Sequence, residues 1–335
     1  MASQIYPSPP YNTLPDDPFS SSHRLSTSST STGRPDPNSD SHSIMTAPPP
    51  YDAAATPFLP TIQLQIETPG KPILSLPLPP RPDPIPIFTI PSSSSSEDSP
   101  LTPTYLSLRP TRSSGSCFLI SPSSLDPSSS EEEYTPLSTT TYRFGPNRPP
   151  LVRLYLPGTA TPTSNPFLSP SPSDPSPDAD DNDLSIWDSF PLTSPSLLSR
   201  TTQFRSRLGT LQWRYASRAE RRAISPPPSS LLVLERIVRV SRSENPHKPE
   251  EIRTPVAQLI RSEECRSAGS SRSSAGNGGR LVVDLRGWEV EGEKGEGEMV
   301  VVMVVTTALV MLKKEVDRRR AQQIMVMAGA SGGGP

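Results

Sequence analysis

The run Met299–Leu312, MVVVMVVTTALVML, carries no charge and is bracketed by EGEKGEGE before it and KKEVDRRR after it. Any fold of this chain must shield that segment from water. A helix over it would be about 21 Å long at ~1.5 Å per residue. A membrane span needs ~20 residues to cross a hydrocarbon core of ~30 Å. The run is therefore too short to span comfortably and points to a protein interior. The rival reading is a tail-type anchor, with KKEVDRRR on its cytoplasmic side. Composition divides the segment. VVVMVV is β-branched and reads as a last strand. TTALVMLKKEVDRRRAQQIMVM reads as a helix capped by Thr306 or Thr307. It sets Ala308, Leu309, Leu312, Val316 and Ile324 near one face and ends at Gly329.

The rest of the chain is poor in material for a core. Only 32% of the 335 residues are hydrophobic and 46 are proline, against ~45–50% apolar in ordinary globular domains. Part of the chain cannot offset its ordering entropy by burial. Residues 1–56 are mostly Ser, Pro, Thr and Asp and read as a disordered arm. A folded region is expected over 57–328, with low-complexity insertions at 91–100, 121–135, 158–183, 241–253 and 262–279, and a flexible tail at 329–335. Within it Ile62, Leu64 and Ile66 alternate with Gln63, Gln65 and Glu67, the period of a strand with one buried face. KPILSLPLPPRPDPIPIFTIP is extended but proline-rich, so any strand there is at an edge or irregular. TYLSLRP, SCFLI, TYRF, LVRLYL, TTQFRS, TLQWRY, SLLVLERIVRV and RLVVDLRGWEV are further strand candidates. Many short strands with turn-rich spacers predict a mainly β fold, an antiparallel closed barrel or sandwich.

About a dozen short strands leading into a nearly all-apolar C-terminal helix resemble the tubby C-terminal-like superfamily, which holds the tubby domain, the phospholipid scramblases and the plant LURP-one-related proteins. LSLRPTRSSGSCFLI, YRFGPNRPPLVRLYLP, SRTTQFRSRLGTLQWRYASRAERRA and SLLVLERI also resemble segments of a fungal group of uncharacterised proteins. The resemblance covers residues 57–327. It implies a closed twelve-stranded barrel around a central hydrophobic helix. The chain lacks the cysteine cluster that scramblases use for palmitoylation, and no acidic loop matches a calcium site. Scramblase activity and phosphoinositide binding therefore do not carry over residue by residue.

Chemistry-bearing constellations are few. The histidines are His23, His42 and His247, and the cysteines Cys117 and Cys265. That set supports neither a Ser-His-Asp arrangement nor a zinc site, so no catalytic, cofactor or metal residues are expected. Asp178, Asp180 and Asn182 begin like a calcium loop, but Asp183 and Ser189 stand where Gly and Glu are needed. The glycines of AGNGGR precede a strand, so they read as a flexible loop rather than a phosphate cradle. The two distant cysteines fit a reducing compartment, and the N-terminus does not read as a secretory signal. A cytoplasmic protein is expected, with nuclear residence the alternative. The net charge of −2 singles out no nucleic-acid partner.

Two contacts stand out. In SRTTQFRSRLGTLQWRYASRAERRA a hairpin turning near Gly209 would gather Arg205, Arg207, Arg214 and Arg218 into an anion-binding patch for phospholipid head groups. Its rival is a solvated barrel face paired with nearby glutamates. In the arm, Pro48, Pro49 and Tyr51 fit PPxY, which WW domains bind as polyproline II. The leading expectation is a non-enzymatic binding or scaffold module. The alternative is an adaptor that recruits a WW-domain partner, such as a ubiquitin ligase.

Overall fold

A computed structural model describes residues 57–71, 83–91, 102–110, 114–122, 136–143, 148–156, 186–195, 199–240, 250–288 and 295–331. These lie in the unit Ala53–Pro335. The second unit, Met1–Asp52, falls outside the described residues. So do most of the expected insertions: 92–100, 123–135 and all of 158–183.

Twelve strands form one antiparallel sheet. In chain order they are β1 (Ile62–Ile66), β2 (Ile85–Thr89), β3 (Tyr105–Leu108), β4 (Ser116–Ile120), β5 (Pro136–Thr141), β6 (Leu151–Tyr155), β7 (Ile186–Pro191), β8 (Thr202–Ser206), β9 (Gly209–Tyr215), β10 (Ser230–Val240), β11 (Glu250–Arg261) and β12 (Gly279–Val283). A short helix α1 (Arg218–Arg222) follows β9, and a long helix α2 (Glu296–Ser331) ends the described chain. The sheet runs from β7 through β1 and β12 to β8. Just beyond β7, Thr193 exchanges two backbone hydrogen bonds with Gln203 of β8, at 2.9 and 2.7 Å. That bridge nearly closes the sheet into a barrel, leaving little unpaired edge.

The apolar run occupies the interior. Met299–Val305 are at most 4% exposed, and Ala308, Val310, Met311 and Leu312 at most 3%. They form one core with Leu64, Ile66, Ile87, Leu154, Trp213 and Leu234 from the inner faces of the strands. The expected division of this run is corrected: VVVMVV is helix, not a last strand, and Thr306 and Thr307 are mid-helix, not caps. The helix begins at Glu296, where the carbonyl of Gly295 accepts the Met299 N–H at 3.1 Å. It passes Gly329 and reaches Ser331. Two energies explain the outcome. Helix propensity costs a valine under ~0.7 kcal/mol, whereas burying its side chain contributes roughly 1.5–3 kcal/mol. A strand buried along the barrel axis would have no ladder partner for its N–H and C=O groups, and only a helix satisfies them internally.

β2 excludes the edge placement. It is an interior strand paired with β1 and β3, despite Pro86. The carbonyl of Pro86 accepts from Glu67 at 3.0 Å, one position past the end of β1. The missing proline N–H therefore falls where β1 has already ended. The 241–253 boundary also shifts, because Glu250–Arg253 already belong to β11. Residues 262–279, expected as an insertion, are hydrogen-bonded and carry buried Cys265, Ser267 and Asn277. Gly276, Gly278 and Gly279 are fitted positions, not slack. At Gly278 a Cβ would lie 2.0 Å from the Ile66 carbonyl oxygen. At Gly276, with φ of +69°, it would meet Val316 of α2 at 2.5 Å. Among the described residues, no helix is long and apolar enough to cross a membrane.

Candidate anion-binding site

The hairpin expected around Gly209 exists. Ser206 pairs with Gly209, whose φ is +112°, and Leu211 and Trp213 point into the core. It does not gather its arginines. Arg205 stands opposite Thr210, near the turn. Arg214 lies four residues further along β9, about 13 Å away at ~3.3 Å per residue. Arg205 is exposed. Arg207, also exposed, stacks over Trp187 at 5.9 Å. Arg214 is committed to Glu220 at 2.6 Å and to buried Glu235 at 2.5 Å. Its hydrogen bonds hold the Glu220 carboxyl down at about 2. Glu220 also closes a capping box with Ser217 at the start of α1, and Arg218 is exposed on that helix. Glu235 was not legible as a partner, because it enters from β10, more than twenty residues downstream.

A denser cationic cluster lies where α2 leaves the barrel. A cavity of about 320 Å³ is lined by Arg200, Arg261, Arg272, Arg318 and Arg319, with Glu315 as its one carboxylate among the described residues. Glu315 is already taken. It accepts from Arg261 at 2.7 and 2.6 Å, from the Gly276 N–H at 3.0 Å and from the Tyr215 hydroxyl. Burial disfavours both charges of this pair. The mutual hydrogen bonds and attraction outweigh it, so Glu315 stays below its ordinary carboxyl value and Arg261 stays protonated. Burial and the Glu315 charge raise the Tyr215 phenol.

The other four guanidiniums pair with no carboxylate among the described residues. Arg200 packs over the Tyr215 ring at 5.6 Å. Arg318 and Arg319 donate to the backbone carbonyls of Ser199 and Ser273 at 3.4 and 3.1 Å. Arg261 donates a further bond to Asn277 at 3.1 Å, and its Nε is buried without a partner. The cavity is therefore a concave surface with surplus positive charge and fork-shaped donors, the geometry that phosphate oxygens accept. Four separate elements supply it: the β7–β8 connection, the end of β11, the β11–β12 loop and the exit turns of α2. Sequence distance concealed the cluster, since its members span Arg200 to Arg319.

Pro48, Pro49 and Tyr51, like His23, His42 and His247, lie outside the described residues. Comparison with known proteins finds no matching family model, no matching curated protein and no matching solved structure. The fold and cavity define a nearly closed, helix-centred antiparallel β-barrel with a basic pocket at the helix exit. That architecture is compatible with the tubby-like fold the sequence resembles.

Proposed function

We propose that this chain is a tubby-like, non-enzymatic binding module of the cytoplasm, and that its ligand is a phosphate-bearing anion such as a phospholipid head group. The observation that carries the reading is the surplus of four arginines over carboxylates in one 320 Å³ cavity. The proposed ligand surface thus moves from the hairpin carrying Arg205 and Arg207 to the mouth of the barrel. Arg214 is excluded from ligand contact by its two glutamates. Cys117 and Cys265 are free thiols, in keeping with a reducing compartment.

The test is sedimentation with vesicles of phosphatidylcholine alone or with added phosphatidylinositol phosphates, for the full chain and for Arg272→Ala/Arg319→Ala. Charge-assisted hydrogen bonds contribute about 1.5–3 kcal/mol each, so the double variant should bind the phosphorylated vesicles at least tenfold more weakly. Arg205→Ala should bind like the parent. Equal binding by parent and double variant would remove the cavity as the contact.

A further inference from the structure

A second cavity, of about 340 Å³, lies on the other flank of α2 and differs in chemistry. Its wall is apolar where Leu309 and Leu312 of α2 face Phe118 of β4, and hydroxyl-bearing where β5 supplies Ser138 and Thr140. Ser138 is spoken for, since its hydroxyl lies 2.6 Å from that of Thr306. Thr140 is only 4% exposed, and its hydroxyl makes no hydrogen bond among the described residues. Tyr142 is half-buried and lines the same cavity. Both residues line the cavity, so their hydroxyls can donate to an acceptor that enters it.

Glu67 and Asp83 line the cavity where β1 ends and β2 begins, and the charges on its β4 side are cationic. The Lys313 ammonium sits 4.7 Å from the centre of the Tyr142 ring, and Arg109 lines the same wall. Burial raises the Cys117 thiol, and these same two cations pull against that rise. Lys313 also pairs with Asp317 at 2.5 Å. That carboxylate is 46% exposed, and such half-exposed pairs are weak enough to exchange. A volume of 340 Å³ falls within the range of small-molecule sites, ~300–1,000 Å³.

We infer that this second cavity binds a small amphipathic carboxylate, its hydrocarbon chain against Leu309, Leu312 and Phe118 and its carboxylate held by Thr140, Tyr142 and Lys313. The site is independent of the arginine cavity. Ligands of the two sites differ, and α2 and the Ala275–Asn277 turn separate them.

Calorimetric titration of the full chain with decanoate, and with decanol as its uncharged counterpart, tests the assignment. Decanoate should bind saturably at one site. Leu309→Trp, which fills the chamber from a half-buried position, should abolish that binding. Thr140→Val, which removes one hydroxyl at nearly constant volume, should weaken it roughly three- to tenfold, the size of one hydrogen bond. Lys313→Gln should weaken decanoate and leave decanol unchanged. The absence of saturable binding by the parent chain overturns the proposal, as does decanoate affinity unaltered by both Leu309→Trp and Thr140→Val. Decanol binding as tightly as decanoate overturns the carboxylate assignment.

Discussion

Glu315 shows how one residue can tie several elements together. It is half-buried on α2, and its two oxygens collect donors from β11, from the turn at Gly276 and from Tyr215 at the end of β9. Removing one member of such a pair leaves the other charge buried and unmatched, which costs about 3–5 kcal/mol. Glu315→Ala should therefore lower stability by about that amount in denaturant titration. A loss below 1 kcal/mol would mean that the pair is solvated. Its neighbour Lys314 points the other way and donates to Ser194 at 2.6 Å and Thr202 at 2.9 Å. Burial, reinforced by the Arg318 charge, pushes its amine down from 10.5 to about 8. A lysine with a depressed folded value holds fewer protons folded than unfolded between those limits. By linkage, its contribution to stability then rises with pH from about 8 to 10.5. The stability difference, parent minus Lys314→Met, should increase across that window, and a flat difference would refute the depressed amine.

At the scale of elements, legibility followed periodicity. β1, β3, β4, β6, β8, β9, β10 and β12 were legible because alternation or a β-branched run marks one buried face. β7, IWDSFP, was hidden beside an acidic stretch, and β5, PLSTTT, offers hydroxyls rather than apolar side chains to the interior. β11 begins in Glu-Glu and contains Pro255, which stands opposite Glu235. The register shifts there, and Val256 is the extra residue beside the pair Leu234 and Ala257. Local composition cannot show that a barrel wall supplies the other half of each face. The false strand at Met299–Val305 has the same origin, because β-branching alone does not show that a segment lies on an axis with no ladder partner. Of the site, the hairpin's turn was legible and its alternation correct, but Glu235 and the five-arginine cavity depend on tertiary closure. Met303, fully buried on α2, gives the element its test. Met303→Ala should cost about 2–5 kcal/mol by thermal or chemical denaturation. A cost near zero would place that turn of the helix outside a packed core.

For the whole molecule, the barrel and its axis are mutually dependent. Among the described residues the sheet has no second layer, so its inner face is buried against α2, and α2 is shielded by the sheet. Hydroxyls set how the two fit. Trp213 donates its indole N–H to Thr307 at 3.0 Å, and Thr307 in turn donates to the Met303 carbonyl at 2.8 Å. Past Leu312 the helix leaves this sheath. Ile324, Met325, Val326 and Met327 are 63–72% exposed, and both cavities open along the turns between. Either binding role therefore presupposes that the apolar run is the core of a barrel. Amide hydrogen exchange of the full chain in detergent-free buffer measures this directly. Amides of Met299–Leu312 should be the slowest in the protein, exchanging only through global opening, while those of Ile324–Met327 exchange far faster. Exchange at Met299–Leu312 as fast as at Ile324–Met327 would contradict the sheathed helix.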